Sequence, residues 1–217
     1  MAPNAKLLDL RNLLAERFPQ APLETTARWR TGHCLIDSVI GQGLPQSAIT
    51  EIISPFPSAG SASLMAGLIG AAQAARSFVA LIDGRDSFDP EPFAGAGLRH
   101  LLWVRCHRAM EAIKAADLLL RDGNFPLVLL DLVLNLPNEL RQIPQTSWYR
   151  LQRLVEPTST VLLVLSRHRL VASARLTIAL QNKWTLATFE RENALSLARL
   201  EVQRSHLVQP LAAATGA

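Results

Sequence analysis

Apolar segments of strand length recur along the chain and alternate with helical patterns. Apolar residues at helical spacing predict helices at 61–76, 109–121 and 146–155. Strands buried on both faces have nearly continuous apolar sequences, and their alternation with helices is typical of a parallel sheet. The pattern therefore predicts an α/β fold with a mostly parallel central sheet flanked by helices. The predicted strands, rich in Val, Ile and Leu, are 49–53, 78–82, 101–104, 127–131 and 160–166.

The first thirty residues have a pattern of their own. Leu7, Leu10 and Leu14 lie at helical spacing and predict a short amphipathic helix over 5–18. Its apolar stripe must be covered, either by the chain's own core or by another subunit. We expect residues 1–30 to form this helix and a polar connector.

The remainder is expected to form a core over 31–190 and a C-terminal segment over 191–217. Within the core, 174–180 and 184–189 predict a closing hairpin. Leucines spread over 190–206 predict a final helix, and the tail beyond it is expected to be frayed.

Composition narrows the class of protein. With 217 residues, 49% of them apolar and 18% charged, the chain suits one well-buried domain. The net charge of +4 is compatible with nucleic acid or an acidic partner but identifies neither. Cys34 and Cys106 are too isolated for a disulfide framework or a zinc site. Asp9 and Arg11 interrupt the N-terminal apolar residues before they reach the length of a signal peptide. No apolar run is long enough to span a membrane. We therefore expect a cytoplasmic protein without membrane partners.

One stretch carries the pattern of a phosphate-binding site. The strand at 49–53 leads through a loop rich in Pro, Ser and Gly to a helix, which is the setting of a P-loop. A P-loop ends in G-K-[ST], but here Gly60 is followed by Ser61 and Ala62. With Ser58 in the preceding loop, these residues form a degenerate P-loop that lacks the lysine for the β- and γ-phosphates.

Four segments resemble the RecA ATPase core, collinearly from about residue 31 to 180. T-G…L-I-D…G-Q-G-L-P-Q-S-A-I-T-E-I-I-S-P is similar to the start of that core, and L-I-D-G-R-D-S-F-D-P to its second strand. L-V-L-L-D, which ends at Asp131, resembles the Walker B strand, and V-A-S-A-R-L-T-I a late strand. The resemblance implies a RecA-like core.

The departures from this family concern its chemistry. The catalytic glutamate of RecA falls on Arg85, which reverses the charge where a water-activating base would be needed. Between 164 and 172 there is no room for the long DNA-binding loop. Short RecA-like proteins without the ATPase residues include ImuA, an accessory protein of SOS-induced translesion synthesis, and SulA, an SOS inhibitor of cell division. The chain is more similar to ImuA in length and basic charge.

Basic residues near the predicted site are candidates for a binding surface. Arg167, His168 and Arg169 follow the strand at 160–166, where they could contact phosphate or an acidic partner, or form a solvated turn. Arg150 and Arg153 extend the same surface or form a solvated helix face. These groups are also candidates for direct contact with single-stranded DNA.

The resemblance implies a non-catalytic protein that uses no cofactor or metal and acts as an interaction module in the SOS response to DNA damage. Its implied partners are RecA and an ImuB-type polymerase homologue. Two alternatives remain open: a SulA-like division inhibitor that binds FtsZ, and a divergent ATP-dependent recombinase.

Overall fold

The computed structural model describes residues 27–32, 37, 40, 43–93, 98–185 and 200–205. All of them belong to one compact unit, Ala27–Leu207. The predicted leucine helix with Leu7, Leu10 and Leu14 lies outside the described residues, so it stays a prediction.

A seven-stranded sheet forms the centre of the described part of the chain, in the order β5-β4-β6-β7-β3-β8-β9. A separate two-stranded antiparallel ribbon, β1 with β2, precedes it. The strands are β1 (Arg28–Trp29), β2 (Leu44–Pro45), β3 (Ala48–Ile53), β4 (Val79–Asp83), β5 (Leu101–Arg105), β6 (Leu127–Asp131), β7 (Val161–Ser166), β8 (Leu176–Leu180) and β9 (Leu200–Ser205).

All neighbouring strands of the large sheet are parallel except β8 and β9. Parallel strands need crossover connections, and helices provide several of them. The mostly parallel sheet confirms the predicted α/β fold, consistent with a RecA-like core. The five strands predicted between 49 and 166 agree with the observed ones to within one residue at each end, and the strand predicted at 174–180 begins two residues later, at Leu176.

Helices cover both faces of the sheet and bury two apolar clusters against it. One face is packed by the long helix that starts at Ser61, and the other by the helices that follow β5 and β6. No helix among the described residues is long and apolar enough to cross a membrane. The helices are α1 (Ser61–Ala74), α2 (Ala109–Asp122), α3 (Pro137–Arg141) and α4 (Gln145–Val155), and a single 3₁₀ turn spans Glu91–Phe93.

The C-terminal part of the sheet differs from the prediction. Residues 200–205, predicted within a helix over 190–206, form strand β9, which pairs with β8. The predicted hairpin is therefore wrong in its second strand: residues 181–185 are irregular, and 186–189 lie outside the described residues. The physical reason is that β8 would otherwise leave an apolar edge unpaired, and pairing satisfies its backbone groups. Helix α3 was missed as well.

Candidate functional site

The loops that leave the carboxyl ends of five parallel strands meet along one edge of the sheet, which we call the carboxyl edge. They follow β4, β6, β7, β3 and β8, in that order across the sheet. In open α/β sheets this edge is where ligands bind. It contains most of the residues that the sequence singled out.

The degenerate P-loop has the backbone shape of a strand–loop–helix turn. Ser58 and Gly60 both have positive φ angles, 60° and 100°. Ser61 and Ala62 are the first residues of α1, and the amide of Leu64 donates to the Gly60 carbonyl at 2.9 Å. The loop is thus wound tightly on the helix N-terminus, where a phosphate-binding protein would hold its anion.

The segment after β8 closes this loop. The side-chain amide of Asn182 donates to the Ala59 carbonyl at 2.8 Å, and the amide of Trp184 donates to the Ser58 carbonyl at 3.1 Å. The indole ring of Trp184 lies on Gly60: a Cβ there would be 2.9 Å from two ring carbons. Protein atoms therefore cover the loop at the glycine that lets a P-loop backbone approach its ligand.

A lysine does lie beside the loop, but it is used differently. The ammonium of Lys183 lies 4.8 Å from the centroid of the Phe56 ring, a cation–π contact. Phe56 is on the P-loop side and Lys183 on the closing segment, so this contact also joins the two. Lys183 follows β8, whereas the lysine of a P-loop stands at the start of the helix, where this chain has Ser61.

Asp83, at the end of β4, is buried and organises the loop that follows it. Its carboxylate accepts hydrogen bonds from the amides of Ser87 and Phe88, both at 2.8 Å, and from the amide of Arg85 at 3.2 Å. The indole nitrogen of Trp103 donates to it at 3.4 Å. Asp83 therefore acts as a loop cap in this structure.

Asp131 is the direct neighbour of Asp83 in the register of β4 and β6. Burial raises the pKa of Asp131 to about 6; the hydrogen bond from the Val133 amide opposes the shift, and the charge of Asp83 adds to it. The two residues end neighbouring strands at the carboxyl edge. No group of three or more possible metal ligands occurs in the described part of the chain.

Arg85 bridges three segments of the carboxyl edge. Its guanidinium lies 3.5 Å from the carboxylate of Glu139 on α3 and donates to the His107 carbonyl at 3.0 Å. Asn135, which is buried, donates to Glu139 at 3.1 Å and to the Gly84 carbonyl at 2.8 Å. Arg85, onto which the catalytic glutamate of RecA falls in the sequence resemblance, is thus part of a cross-link between loops.

The basic candidates on α4 and in the loop after β7 have different partners. Arg167, His168 and Arg169 are exposed in the loop after β7, and the Arg167 Nε donates to the Val133 carbonyl at 3.1 Å. Arg150 on α4 instead pairs with Asp117 on α2 at 2.6 Å. Burial would raise the pKa of Asp117, but hydrogen bonds from Arg121 and Arg150 outweigh it and lower that pKa.

Arg150 therefore links α4 to α2, and the predicted common surface with the Arg167 loop stays a prediction. Arg153, also on α4, is exposed. Of the neighbouring aromatic pair, Trp148 is fully buried in the core and Tyr149 is exposed.

Several residues of the edge were missed by the sequence analysis. Glu51 in β3 accepts hydrogen bonds from the amides of Leu170 at 2.6 Å and Val171 at 3.0 Å, which fixes the loop after β7. Asn182 and Trp184 act on a loop more than 120 residues away in sequence. A local pattern cannot reveal such contacts, although Glu51 was an unusual charge in an apolar strand.

Comparison with known proteins shows that about half of the chain is similar to RecA. The chain is 35% identical to the RecA protein of Clavibacter michiganensis subsp. michiganensis over 121 residues, which is 54% of this chain and 32% of that protein. It is 30% identical to RecA of Streptomyces avermitilis over 123 residues, 55% of this chain and 31% of that protein. Rubrobacter xylanophilus RecA is 32% identical over 106 residues, 48% of this chain and 30% of that protein. No family model matches the chain.

The chain therefore spans about a third of the length of the curated relatives that it matches. The similarity and the parallel sheet together define an α/β protein with a RecA-like core.

Proposed function

We propose that this chain is a RecA-like interaction module that does not hydrolyse ATP and that supports translesion synthesis in the SOS response. Its partners would be RecA and an ImuB-type polymerase homologue. Its mechanism would be tethering, in which RecA-like surfaces are retained and nucleotide turnover is lost.

The observation that carries this proposal is the state of the P-loop. The lysine position is Ser61, and Asn182 and Trp184 cover Ala59 and Gly60 with hydrogen bonds and ring contact. These hydrogen bonds occupy backbone carbonyls and fix the loop, so a nucleotide would meet a loop held beside the Trp184 ring. It would also bind without the charge-assisted bond of a lysine, which contributes about 1.5–3 kcal/mol. Hydrolysis would further need a base, and Arg85 is committed to Glu139 and the His107 carbonyl.

The test is ATP binding and turnover by the purified chain, with and without single-stranded DNA. We expect no saturable binding by calorimetry at millimolar ATP and no phosphate release above a no-protein blank. RecA from the same source serves as the positive control. DNA-stimulated turnover would reject the proposal and favour the divergent recombinase.

Partner capture then separates the proposed role from a SulA-like one. Purified RecA, the ImuB-type protein and FtsZ from one source are immobilised in parallel, and binding of the chain is measured to each. Capture by RecA or the ImuB-type protein supports the translesion role. Capture by FtsZ alone, with inhibition of FtsZ polymerisation, would replace it with the division inhibitor.

A further inference from the structure

We infer that the partner of this module docks on two exposed leucines of the carboxyl edge, Leu134 and Leu136, together with the basic loop at 167–169. We call this set the leucine–arginine patch. Its occupant would be a protein segment that carries both apolar and acidic side chains. The inference rests on the proposed interaction function and names the surface that performs it.

The two leucines are displayed by a rigid loop. Leu134 and Leu136 are 50% and 52% exposed, whereas Asn135 between them is 4% exposed. The Asn135 side chain donates to the Gly84 carbonyl and to Glu139, at 2.8 and 3.1 Å. A fixed loop that turns two large apolar side chains to solvent loses little entropy on binding, which favours affinity.

The loop is held at its base as well. The amide of Leu132 donates to the Leu165 carbonyl at 2.9 Å, and the amide of Val133 donates to Asp131 at 3.0 Å. A Cβ at Gly84 would overlap Asn135 and the Asp131 carbonyl, so neighbouring backbone is packed closely beneath the tip. The exposure of the leucines is therefore built into the loop rather than caused by a loose segment.

The charge beside the leucines is positive. Arg167 donates to the Val133 carbonyl at 3.1 Å, which places its guanidinium next to the tip. In the described part of the chain, Arg167 and Arg169 have no ion-pair partner. The negative charge of Glu139 is balanced by Arg85. Uncompensated arginines beside apolar side chains complement an acidic, apolar partner.

The strand order extends the patch in one direction. The loops after β6, β7 and β3 are consecutive, so the arginines lie between the leucine tip and Phe56. Neighbouring strands are about 4.8 Å apart, and an extended chain advances about 3.3 Å per residue. The leucine tip and Phe56 are two strand spacings apart, which corresponds to about three residues of an extended chain. A matching partner segment would therefore place one apolar side chain on the leucines, another about three residues away on Phe56, and an acidic side chain between them on the arginines.

A protein occupant fits the patch better than nucleic acid does. Phosphates would use the arginines, and bases would use exposed aromatic faces. In this row of described loops, one face of the Phe56 ring is taken by Lys183, 4.8 Å from its centroid, and the other exposed ring is the imidazole of His168. Two leucines offer nothing to phosphates or base edges, yet they provide the apolar anchors of a protein interface.

The test compares matched variants in binding to immobilised RecA and ImuB-type protein. Leu134→Ser/Leu136→Ser and Arg167→Glu are the patch variants, and Leu118→Ser is the control, because Leu118 is 68% exposed on α2. We expect each patch variant to bind at least ten-fold more weakly and the control to bind within two-fold of wild type. Thermal unfolding confirms that all variants fold alike.

The outcomes separate this inference from the function on which it rests. If the wild type binds neither partner, the proposed function fails. If it binds and the leucine variant binds equally well, the patch is wrong while the function stands. If only Arg167→Glu loses binding to the partner, and a single-stranded oligonucleotide competes with the wild type for that binding, the surface is a nucleic-acid site. Self-association abolished by the leucine variant would make a second copy the occupant.

Discussion

The indole ring of Trp184 lies against the backbone of Gly60, with two of its carbons 2.9 Å from where a Cβ would stand. The glycine has a φ of 100°, which L side chains rarely adopt. A ring from the segment after β8 thus packs on the glycine of the degenerate P-loop. This contact allows the closure of the loop to be tested directly.

Replacement of Gly60 by alanine should destabilise the fold. The positive φ and the overlap with Trp184 act together, so we expect the free energy of unfolding to fall by about 2–3 kcal/mol, measured by chemical denaturation. Gly70→Ala is the matched control, because a Cβ at Gly70 has nothing within 4 Å. Gly70 lies inside α1, so that substitution should stabilise the chain by about 0.5–1 kcal/mol. Equal effects of the two substitutions would contradict the close packing at Gly60.

Restoring the P-loop lysine should not be enough to restore ATP binding. In Ser61→Lys the loop is still covered by Trp184, so we expect calorimetry to detect no binding. In Ser61→Lys/Trp184→Gly the cover is removed and the charge is present, and weak binding should appear. Trp184→Gly alone controls for the opening of the loop. Binding by the single lysine variant would show that the ring does not obstruct the site.

The Asp131 carboxyl should make stability depend on pH. Its pKa of about 6 in the folded state lies above the ordinary value of 3.8. Between about pH 4 and pH 6 the folded state therefore keeps a proton on Asp131 that the unfolded state has lost. Stability contributed by the protonated form is therefore present below about pH 4 and lost as pH rises through 6. The charge of Asp83, which lies beside it on β4, acts in the same direction as burial.

The neutral analogue Asp131→Asn tests this assignment. Its side-chain oxygen can still accept from the Val133 amide. Because Asp131 is half-buried, we expect Asp131→Asn to be about 1–2 kcal/mol more stable at pH 7.5 and to flatten the pH dependence between 4 and 7. Urea denaturation at a series of pH values measures both effects. A variant that is less stable at pH 7.5 would contradict the raised pKa.

Loss of the Glu51 carboxylate should release the loop after β7. Glu51→Ala leaves the amides of Leu170 and Val171 without their acceptor. An unsatisfied buried donor costs about 1–3 kcal/mol, and the partly buried Leu170 amide should cost less than the Val171 amide, so we expect a total loss of about 2–4 kcal/mol. Glu51→Gln keeps an acceptor oxygen and should lose less. Hydrogen exchange of these two amides should accelerate in the alanine variant. If exchange stays slow, other groups must hold the loop.

Much of the sheet could be predicted from the sequence because its strands are buried on both faces. Segments such as Val79–Asp83 and Leu127–Asp131 are apolar almost throughout, and burial on both faces is the cause of that composition. The edge strand Leu200–Ser205 alternates with polar residues and has leucines upstream, so its pattern also suited a helix. Strand is favoured over helix here only because the edge of β8 needs a partner, and that is a feature of the tertiary structure.

The candidate site was predictable in its position and less so in its contacts. Asp131 and Arg85 could be placed at the carboxyl edge because they end or follow predicted strands. The closure by Asn182 and Trp184 depends on which strand lies beside β3, and the sequence offers no local signal for strand order. The partner of Arg85, Glu139, belongs to a helix of five residues that is too short to give a periodic pattern.

The closed P-loop also changes what the fold depends on. A protein whose loop is ordered by a bound nucleotide gains stability that varies with the concentration of that nucleotide. Here Asn182 and Trp184 belong to the same chain, so their effective concentration beside the loop is constant. We expect the fold, and any surface that it presents, to be insensitive to the energy state of the cell, in starvation as in growth.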